Sequence, residues 1–210
     1  TEPVGPFAAM KELTFRGEYP FGWYDFSDES MPIVVGMEVF SPLTPPNARD
    51  SAIPCAVYSI TLENRGKKTV TATVLATQQS PVKNSLKGPA ANGRKLEGYG
   101  QNRNQIVRHD GATILHMTGK PDTGLSSGDM CLAALTPDAQ GTASWDDLGK
   151  LADQAVAGKL TGSDEAGPSQ DGETLNGALA VPVTLKPGEK AVVRFVLAWH
   201  FPHVKQPWVG

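Results

Sequence analysis

KAVVRFVLAW, residues 190–199, is the stretch that decides the fold class of this chain. Apolar side chains alternate along it and would share one face of an extended strand, whereas Arg194 interrupts the other face. A period of two residues over ten positions is typical of a β-strand with one face turned to a core. The residues expected on that core face are Ala191, Val193, Phe195, Leu197 and Trp199.

Two hairpins are predicted around strands of this kind. Residues 178–185 lead into the first strand through Lys186-Pro187-Gly188-Glu189, where proline presets φ and glycine takes a positive φ. Pro182 favours a sheet edge or a bulge, because proline has no N–H to donate. Residues 53–63 and 68–77 predict a second hairpin across Asn64-Arg65-Gly66-Lys67, since an alternating strand is followed by a Thr-rich, β-branched one.

The rest of the chain repeats this pattern of short strands and turns, with 17 prolines and 22 glycines between the apolar runs. Further strands are expected at 13–16, 33–40, 106–109, 113–118 and 129–136, and one helix at about 145–157, capped by Ser144. Long loops are expected at 80–105, with Asn84 and residues 91–94, and at 158–174. We therefore predict an all-β fold, a β-sandwich of two mainly antiparallel sheets with one short helix, forming a single domain over residues 1–210.

Composition excludes some classes of partner. The formal charge of −3 leaves no basic surplus for a phosphate backbone, so we expect no nucleic acid. The apolar runs are too short for a transmembrane segment. Cys55 and Cys131 lie in apolar stretches, which favours buried free thiols over a disulfide. The chain begins Thr1-Glu2-Pro3 with no signal-peptide pattern, which is typical of a cloned piece, a processed product or a fragment, and the compartment stays open.

Motifs for metal or nucleophile chemistry are weak. His200 and His203 would point to opposite sides of an extended chain, and no cysteine or carboxylate cluster lies beside them to complete a metal site. The sequence has no G-x-S-x-G, and neither cysteine has a basic neighbour that would lower its pKa. The glycines at 93–100 lack the strand-to-helix context of a phosphate cradle. We expect no metal and no cofactor.

Acidic and aromatic residues are concentrated in the first quarter of the chain. Glycoside hydrolysis uses two facing carboxylates, and Glu18, Asp25, Glu38 and Asp50 all lie there. Glu38, in an apolar strand, is expected either on the solvent face or in a structural pair with a residue such as Arg49, and the pair is the favoured reading. The nearby rings could stack on sugars or could fill a core or an interface. These rings are Phe15, Tyr19, Phe21, Trp23, Tyr24 and Phe26.

Four motifs in order carry a family resemblance. GEYPFGWYDF at 17–26 with VFSPL at 39–43, DSAIP at 50–54, NGALA at 176–180 and LAWHFP at 197–202 together resemble the N-terminal domain of glycoside hydrolase family 116. The resemblance implies a retaining β-glucosidase or glucosylceramidase, in which an N-terminal β-sandwich packs on a C-terminal (α/α)6 barrel that carries both catalytic acids. The family's glycine-rich opening strands are not visible before Thr1, which leaves the completeness of the sandwich open.

The resemblance implies that no residue of this chain is catalytic, because the acids of the family belong to the barrel. The expected role is to brace the catalytic domain and to wall its β-glucoside cleft, and the alternative is a stand-alone carbohydrate-binding module. As an isolated piece, the chain is expected to form a homodimer through its early aromatic segment. The aglycone stays open. The candidate interdomain or sugar-facing residues are Glu18, Tyr19, Phe21, Trp23, Tyr24, Asp25 and Asp50.

Overall fold

The structure, a computed structural model, describes residues 2–83, 99–124 and 126–203. Nearly half of these residues lie in β-strands, which follow one another along the chain with two helices between them. The strands are β1 (Glu12–Glu18), β2 (Phe21–Ser27), β3 (Ile33–Phe40), β4 (Cys55–Asn64), β5 (Val70–Gln79), β6 (Arg103–His109), β7 (Ala112–Thr118), β8 (Asp129–Ala134), β9 (Gln140–Thr142), β10 (Glu165–Ala166), β11 (Asn176–Leu185) and β12 (Lys190–His200), and the helices are α1 (Ala48–Ser51) and α2 (Leu148–Val156).

The strands form two antiparallel sheets, which confirms the predicted sandwich. The large sheet has nine strands in the order β1-β2-β3-β4-β12-β8-β7-β6-β10, and the small sheet has three in the order β5-β11-β9. We call the face of the large sheet that packs on the small sheet the inner face, and the opposite one the outer face. Alternation along β12 puts Val193 and Phe195 on the inner face, where both are buried. The core joins them to buried side chains of the other strands, among them Leu62, Leu115, Leu132, Leu179 and Val181.

Both predicted hairpins are wrong, although their strands exist. β4 pairs with β3 and β12, whereas β5 pairs with β11 in the small sheet. Likewise, β11 and β12 belong to different sheets. The turns at 65–69 and 186–189 therefore carry the chain from one sheet to the other. Gly188 does have the predicted positive φ, at +79°.

Asn64 explains why these two turns cross between the sheets. Its side chain is fully buried, and its Nδ2 donates to the Lys68 carbonyl at 2.8 Å and to the Leu185 carbonyl at 2.9 Å. Its Oδ1 accepts from the Gly66 N–H at 2.9 Å, while its own carbonyl accepts from the Gly188 N–H. One amide thus joins the end of β4, the end of β11 and both turns.

The helix prediction is confirmed with a different cap. Helix α2 begins at Leu148, and Asp147, not Ser144, accepts the capping hydrogen bond from the Lys150 N–H. The free carboxylate of Asp147 is closer to the first turn, so it reaches the orphan N–H groups that Ser144 cannot. The helix covers the small sheet on the side away from the large one, with Leu151 and Ala155 packed against the small-sheet residue Ala180.

Several elements were not predicted. The aromatic segment forms strand β2, the one-turn helix α1 lies between β3 and β4, and β9 completes the small sheet. The predicted loop at 158–174 contains only the two-residue strand β10. Of the predicted loop at 80–105, residues 84–98, with the glycine-bearing stretch that begins at 93, lie outside the described residues. On one side Pro182 of β11 is paired with Thr73 of β5. On the other side β9 pairs with β11 only as far as Ala180, so Pro182 lies at a local sheet edge, as predicted.

Cys55 and Cys131 lie on either side of one residue. Ala198 of β12 is opposite Cys55 of β4 and opposite Cys131 of β8. Two strand spacings separate the cysteines, roughly 9 to 10 Å, which is beyond the reach of a disulfide. Both thiols are free.

Candidate functional site

The candidate residues lie at the open edge of the large sheet. Strands β1 and β2 form a hairpin that closes from Glu18 to Phe21 across Tyr19-Pro20. Tyr19 at this turn is 85% exposed, and β1 is the last strand of the sheet. The hairpin thus presents the aromatic segment at the surface.

Alternation divides that segment between the two faces of the sheet. Phe21, Trp23 and Asp25 lie on the outer face, because Trp23 is opposite Glu38 and Asp25 is opposite Gly36. Tyr24 and Phe26 lie on the inner face, opposite Met37 and Val35. The rings therefore form two groups with different neighbours.

Trp23 is the centre of the outer group. Its Nε1 donates to Glu38 Oε2 at 2.8 Å. The Phe21 ring stacks on it with centroids 5.6 Å apart, and the Arg16 guanidinium carbon lies 4.8 Å from the ring centroid. Glu38 is therefore on the solvent face and does have a structural partner, as favoured, but that partner is Trp23 and not Arg49.

The inner group packs ring against ring but stays open to solvent. Phe15 lies 4.8 Å from Tyr24, and Tyr24 lies 6.4 Å from Phe26, measured between centroids. Phe15 is nevertheless 58% exposed, because the small sheet packs on the strands further along the large sheet and leaves β1 and β2 uncovered.

An apolar row crosses the outer face from the aromatic segment. The members of this outer row are paired residue to residue across seven neighbouring strands, and each is half-buried or exposed. An outer face that met only water would carry polar side chains at these positions. The outer row consists of Phe21, Phe40, Val57, Val196, Ala133, Ile114 and Val107.

A shallow groove of about 500 Å³ adjoins the outer row. Trp23, Asp25 and Glu38 line it from one side and Arg194 from the other, with Gly36 between them. A Cβ at Gly36 would meet only ordinary contacts at 3.8 Å, so the floor of the groove is open there. At the far end of the groove, Arg65 Nη2 lies 3.1 Å from Glu63 Oε2. The hydrogen bond from Arg65 holds the pKa of the Glu63 carboxyl below its usual 4.5.

The remaining candidate acids do not join this groove. Glu18 ends β1 and is exposed, and Asp50 lies in helix α1, where its Oδ2 accepts from Asn47 Nδ2 at 2.6 Å. Asp50 and Phe21 lie toward the same end of the large sheet, because α1 follows Phe40, which is the partner of Phe21.

Over the described ranges, no three His, Cys, Asp or Glu side chains are grouped as metal ligands. A search of the same ranges finds no helix with the length and apolarity to span a bilayer.

Comparison with known proteins identifies the family. The family model described as "beta-glucosidase 2, glycosyl-hydrolase family 116 N-term" matches residues 6–210. The chain belongs to glycoside hydrolase family 116, as an N-terminal domain. Among solved structures, it is similar to a chain described as "Putative kojibiose phosphorylase from human microbiome", with 8% identity and a TM-score of 0.41 over 89% of this chain. It spans 19% of that longer chain.

The family 116 motifs occupy connected parts of the fold. GEYPFGWYDF is the end of β1, the turn and most of β2, and NGALA begins β11. DSAIP leads from α1 into β4, beside the end of β12, where the Trp199 N–H donates to the Pro54 carbonyl. Sequence reasoning found these motifs but missed the outer row. The sequence of β12 contained a signal for it, because Val196 and Ala198 make the outer face of this strand apolar as well as its inner face. Apolar residues on both faces are typical of a strand that is covered on both sides.

Proposed function

We propose that this family 116 domain is non-catalytic and braces the catalytic domain of a retaining β-glucosidase or glucosylceramidase. In this proposal the catalytic domain is a C-terminal helical barrel, and the outer face of the large sheet is the surface that it covers. The observation that carries the proposal is the outer row. Apolar side chains aligned across seven strands, all of them half-buried except the exposed Phe21, are costly to leave in water and are suited to a second layer of protein.

The dimensions of the outer row favour a helix as the covering element. Six strand-to-strand steps of about 4.8 Å give a stripe roughly 29 Å long. An α-helix of about 20 residues has that length. Polar residues flank one side of the row at the positions of Glu38, Ser59 and Arg194, which suits a polar rim along that side of an apolar centre.

The test compares two valine substitutions in the full-length protein. Val196→Asp puts a charge in the middle of the outer row, whereas Val156→Asp puts one on helix α2, at a side chain that is 85% exposed and lies on the other layer. We expect Val196→Asp to lower the Tm of the full-length protein and its turnover of an aryl β-glucoside, because it leaves a carboxylate in the interface. Val156→Asp should change neither quantity.

The 210-residue chain supplies the folding control for the same pair. Both variants should melt close to the parent in this chain, since neither residue belongs to the described core. An equal, small effect of the two substitutions on the full-length protein would reject the outer face as the docking surface. Turnover of the glucoside by the 210-residue chain alone would reject the non-catalytic role.

A stand-alone carbohydrate-binding module is the second candidate, and the groove beside Trp23 is the observation that favours it. Against it, the Trp23 ring already contacts Phe21 and Arg16, and its N–H is bonded to Glu38, so little of the ring is left for a sugar. Calorimetric titration of the 210-residue chain with glucosides and cello-oligosaccharides decides the matter. Binding that Trp23→Ala abolishes and the inner-face control Phe15→Ala retains would favour the module; no heat would favour the brace.

A further inference from the structure

The free edge of β1 is the feature that the proposed function does not use. In the described parts of the chain β1 pairs only with β2, and all seven of its residues are exposed. Its second edge therefore offers backbone N–H and C=O groups to another strand. Natural edge strands are commonly blocked by proline, by a bulge or by inward charges. Strand β1 has none of these, since its inner face carries Leu13, 42% exposed, and Phe15.

The three charged residues of β1 lie on the outer face, and two of them, Glu12 and Arg16, complement each other. Glu12 and Arg16 alternate onto that face with Thr14 midway between them. Neither charge forms an ion pair within the described residues. A strand with opposite charges at equal distances from a central residue is complementary to its own antiparallel copy.

We propose that β1 binds β1 of a second copy of this chain, antiparallel and with Thr14 on the twofold axis. Glu12 then lies opposite Arg16 of the second copy, and the symmetric pair forms at the same time. On the inner face, Leu13 lies opposite Phe15 of the second copy. Cross-strand pairs of opposite charges and cross-strand pairs of apolar side chains both stabilise a sheet.

The neighbouring registers are less favourable. An axis at Phe15 puts Glu12 opposite Glu18, and an axis at Arg16 puts two arginines face to face, so each creates a like-charge pair. An axis at Leu13 puts Glu12 opposite Thr14 and forms no ion pair. An axis that passes between two residues is excluded, because it would place inner-face residues opposite outer-face residues.

The resulting assembly joins two nine-stranded sheets edge to edge. The rings of the two inner faces, the exposed Phe15 and the half-buried Tyr24 of each copy, become one continuous apolar surface. Because the axis is perpendicular to the sheet, both outer faces stay on the same side, and the outer row remains free. This association therefore uses a different surface from the proposed docking of a catalytic domain.

Charge reversal with rescue tests the register in the 210-residue chain. Arg16→Glu and Glu12→Arg each turn two attractive pairs into two repulsive ones, so we expect each to weaken dimerisation by at least about tenfold in sedimentation equilibrium. The double variant restores opposite charges and should recover most of the parental affinity, although the carboxylate that replaces the Arg16 guanidinium can no longer stack on Trp23. A monomeric parent, or a double variant as weak as either single one, would overturn the proposal.

Cysteine cross-linking tests the axis directly. Thr14→Cys places two thiols opposite each other across the axis and should give a covalent dimer under mild oxidation. Glu18→Cys is the matched control, on the same strand and the same face, but its two copies would be eight positions, roughly 27 Å, apart. A dimer cross-linked equally through both positions, or through Glu18→Cys alone, would overturn the register.

Discussion

Replacing Asn64 with alanine is expected to be among the most destabilising single changes in the chain. The substitution removes a fully buried amide that donates to the Lys68 and Leu185 carbonyls and accepts from the Gly66 N–H. The Leu185 carbonyl lies in the buried part of the structure, so losing its donor costs about 1–3 kcal/mol. The two part-buried bonds contribute about 0.5–1.5 kcal/mol each.

The sum is about 2–6 kcal/mol, a large share of the roughly 5–15 kcal/mol that stabilises a typical domain. Urea unfolding of the 210-residue chain, followed by tryptophan fluorescence and far-UV circular dichroism, measures it directly. Asn47→Ala is the control. The Asn47 side chain also forms two hydrogen bonds, with the N–H and the carboxylate of Asp50, but both lie at the surface. It should cost about 1 kcal/mol or less.

Asn64→Asp separates the donor from the acceptor. Aspartate keeps the oxygen that binds Gly66 but loses both N–H donors, and it places a carboxylate where the side chain has no exposure. We expect a loss at least as large as with alanine at pH 7. If Asn64→Ala costs no more than Asn47→Ala, the amide does not hold the two turns together, and the explanation for the chain crossing fails.

Three further predictions test other parts of the fold. The hydrogen bond from the Lys150 N–H lowers the pKa of Asp147 from its usual 3.8, so the stability that this cap adds is present above that value and is lost as the pH falls through the folded pKa. Asp147→Asn has no carboxylate to protonate, so its helical circular dichroism signal should change less than that of the parent as the pH is lowered through that range. Gly128→Ala should destabilise by about 1–3 kcal/mol in urea, because its methyl group would overlap the His200 carbonyl, whereas Gly36→Ala should be tolerated. Both cysteines should be alkylated in non-reducing denaturant, and in the native protein Cys131 should react slowly at pH 7.5, since burial, and then Asp129, raises the pKa of its thiol.

The sequence predicted the strands better than it predicted their partners. Alternation in β12 and β4 showed which side chains share a face, and the faces were right. The same alternation, with the same glycine turn, fits a hairpin within one sheet or a crossing between two. The choice depended on Asn64, whose carbonyl partner at Leu185 is 121 positions away in the sequence. A local pattern cannot reveal a contact of that separation.

The candidate surface was predicted in composition but not in shape. The aromatic cluster was recognised, yet its strand was not, so the division of Trp23 and Tyr24 between two faces was missed. Once β2 is known to be a strand, alternation alone separates these residues. The outer row needed more, because Phe40, Val196 and Ile114 align only when the register of seven strands is fixed.

The two proposed surfaces limit each other in a way that can be measured. In the dimer, β2 of one copy and β2 of the other are separated by three strand steps, about 14 Å. The outer rows end at Phe21 on these strands and face the same side. A catalytic domain is much wider than 14 Å, so two of them fit only if each is centred toward the β6 end of its row. If the docked domain instead reaches β1, the full-length protein will dimerise more weakly than the 210-residue chain, and Val196→Asp, by loosening the docked domain, will strengthen that dimer.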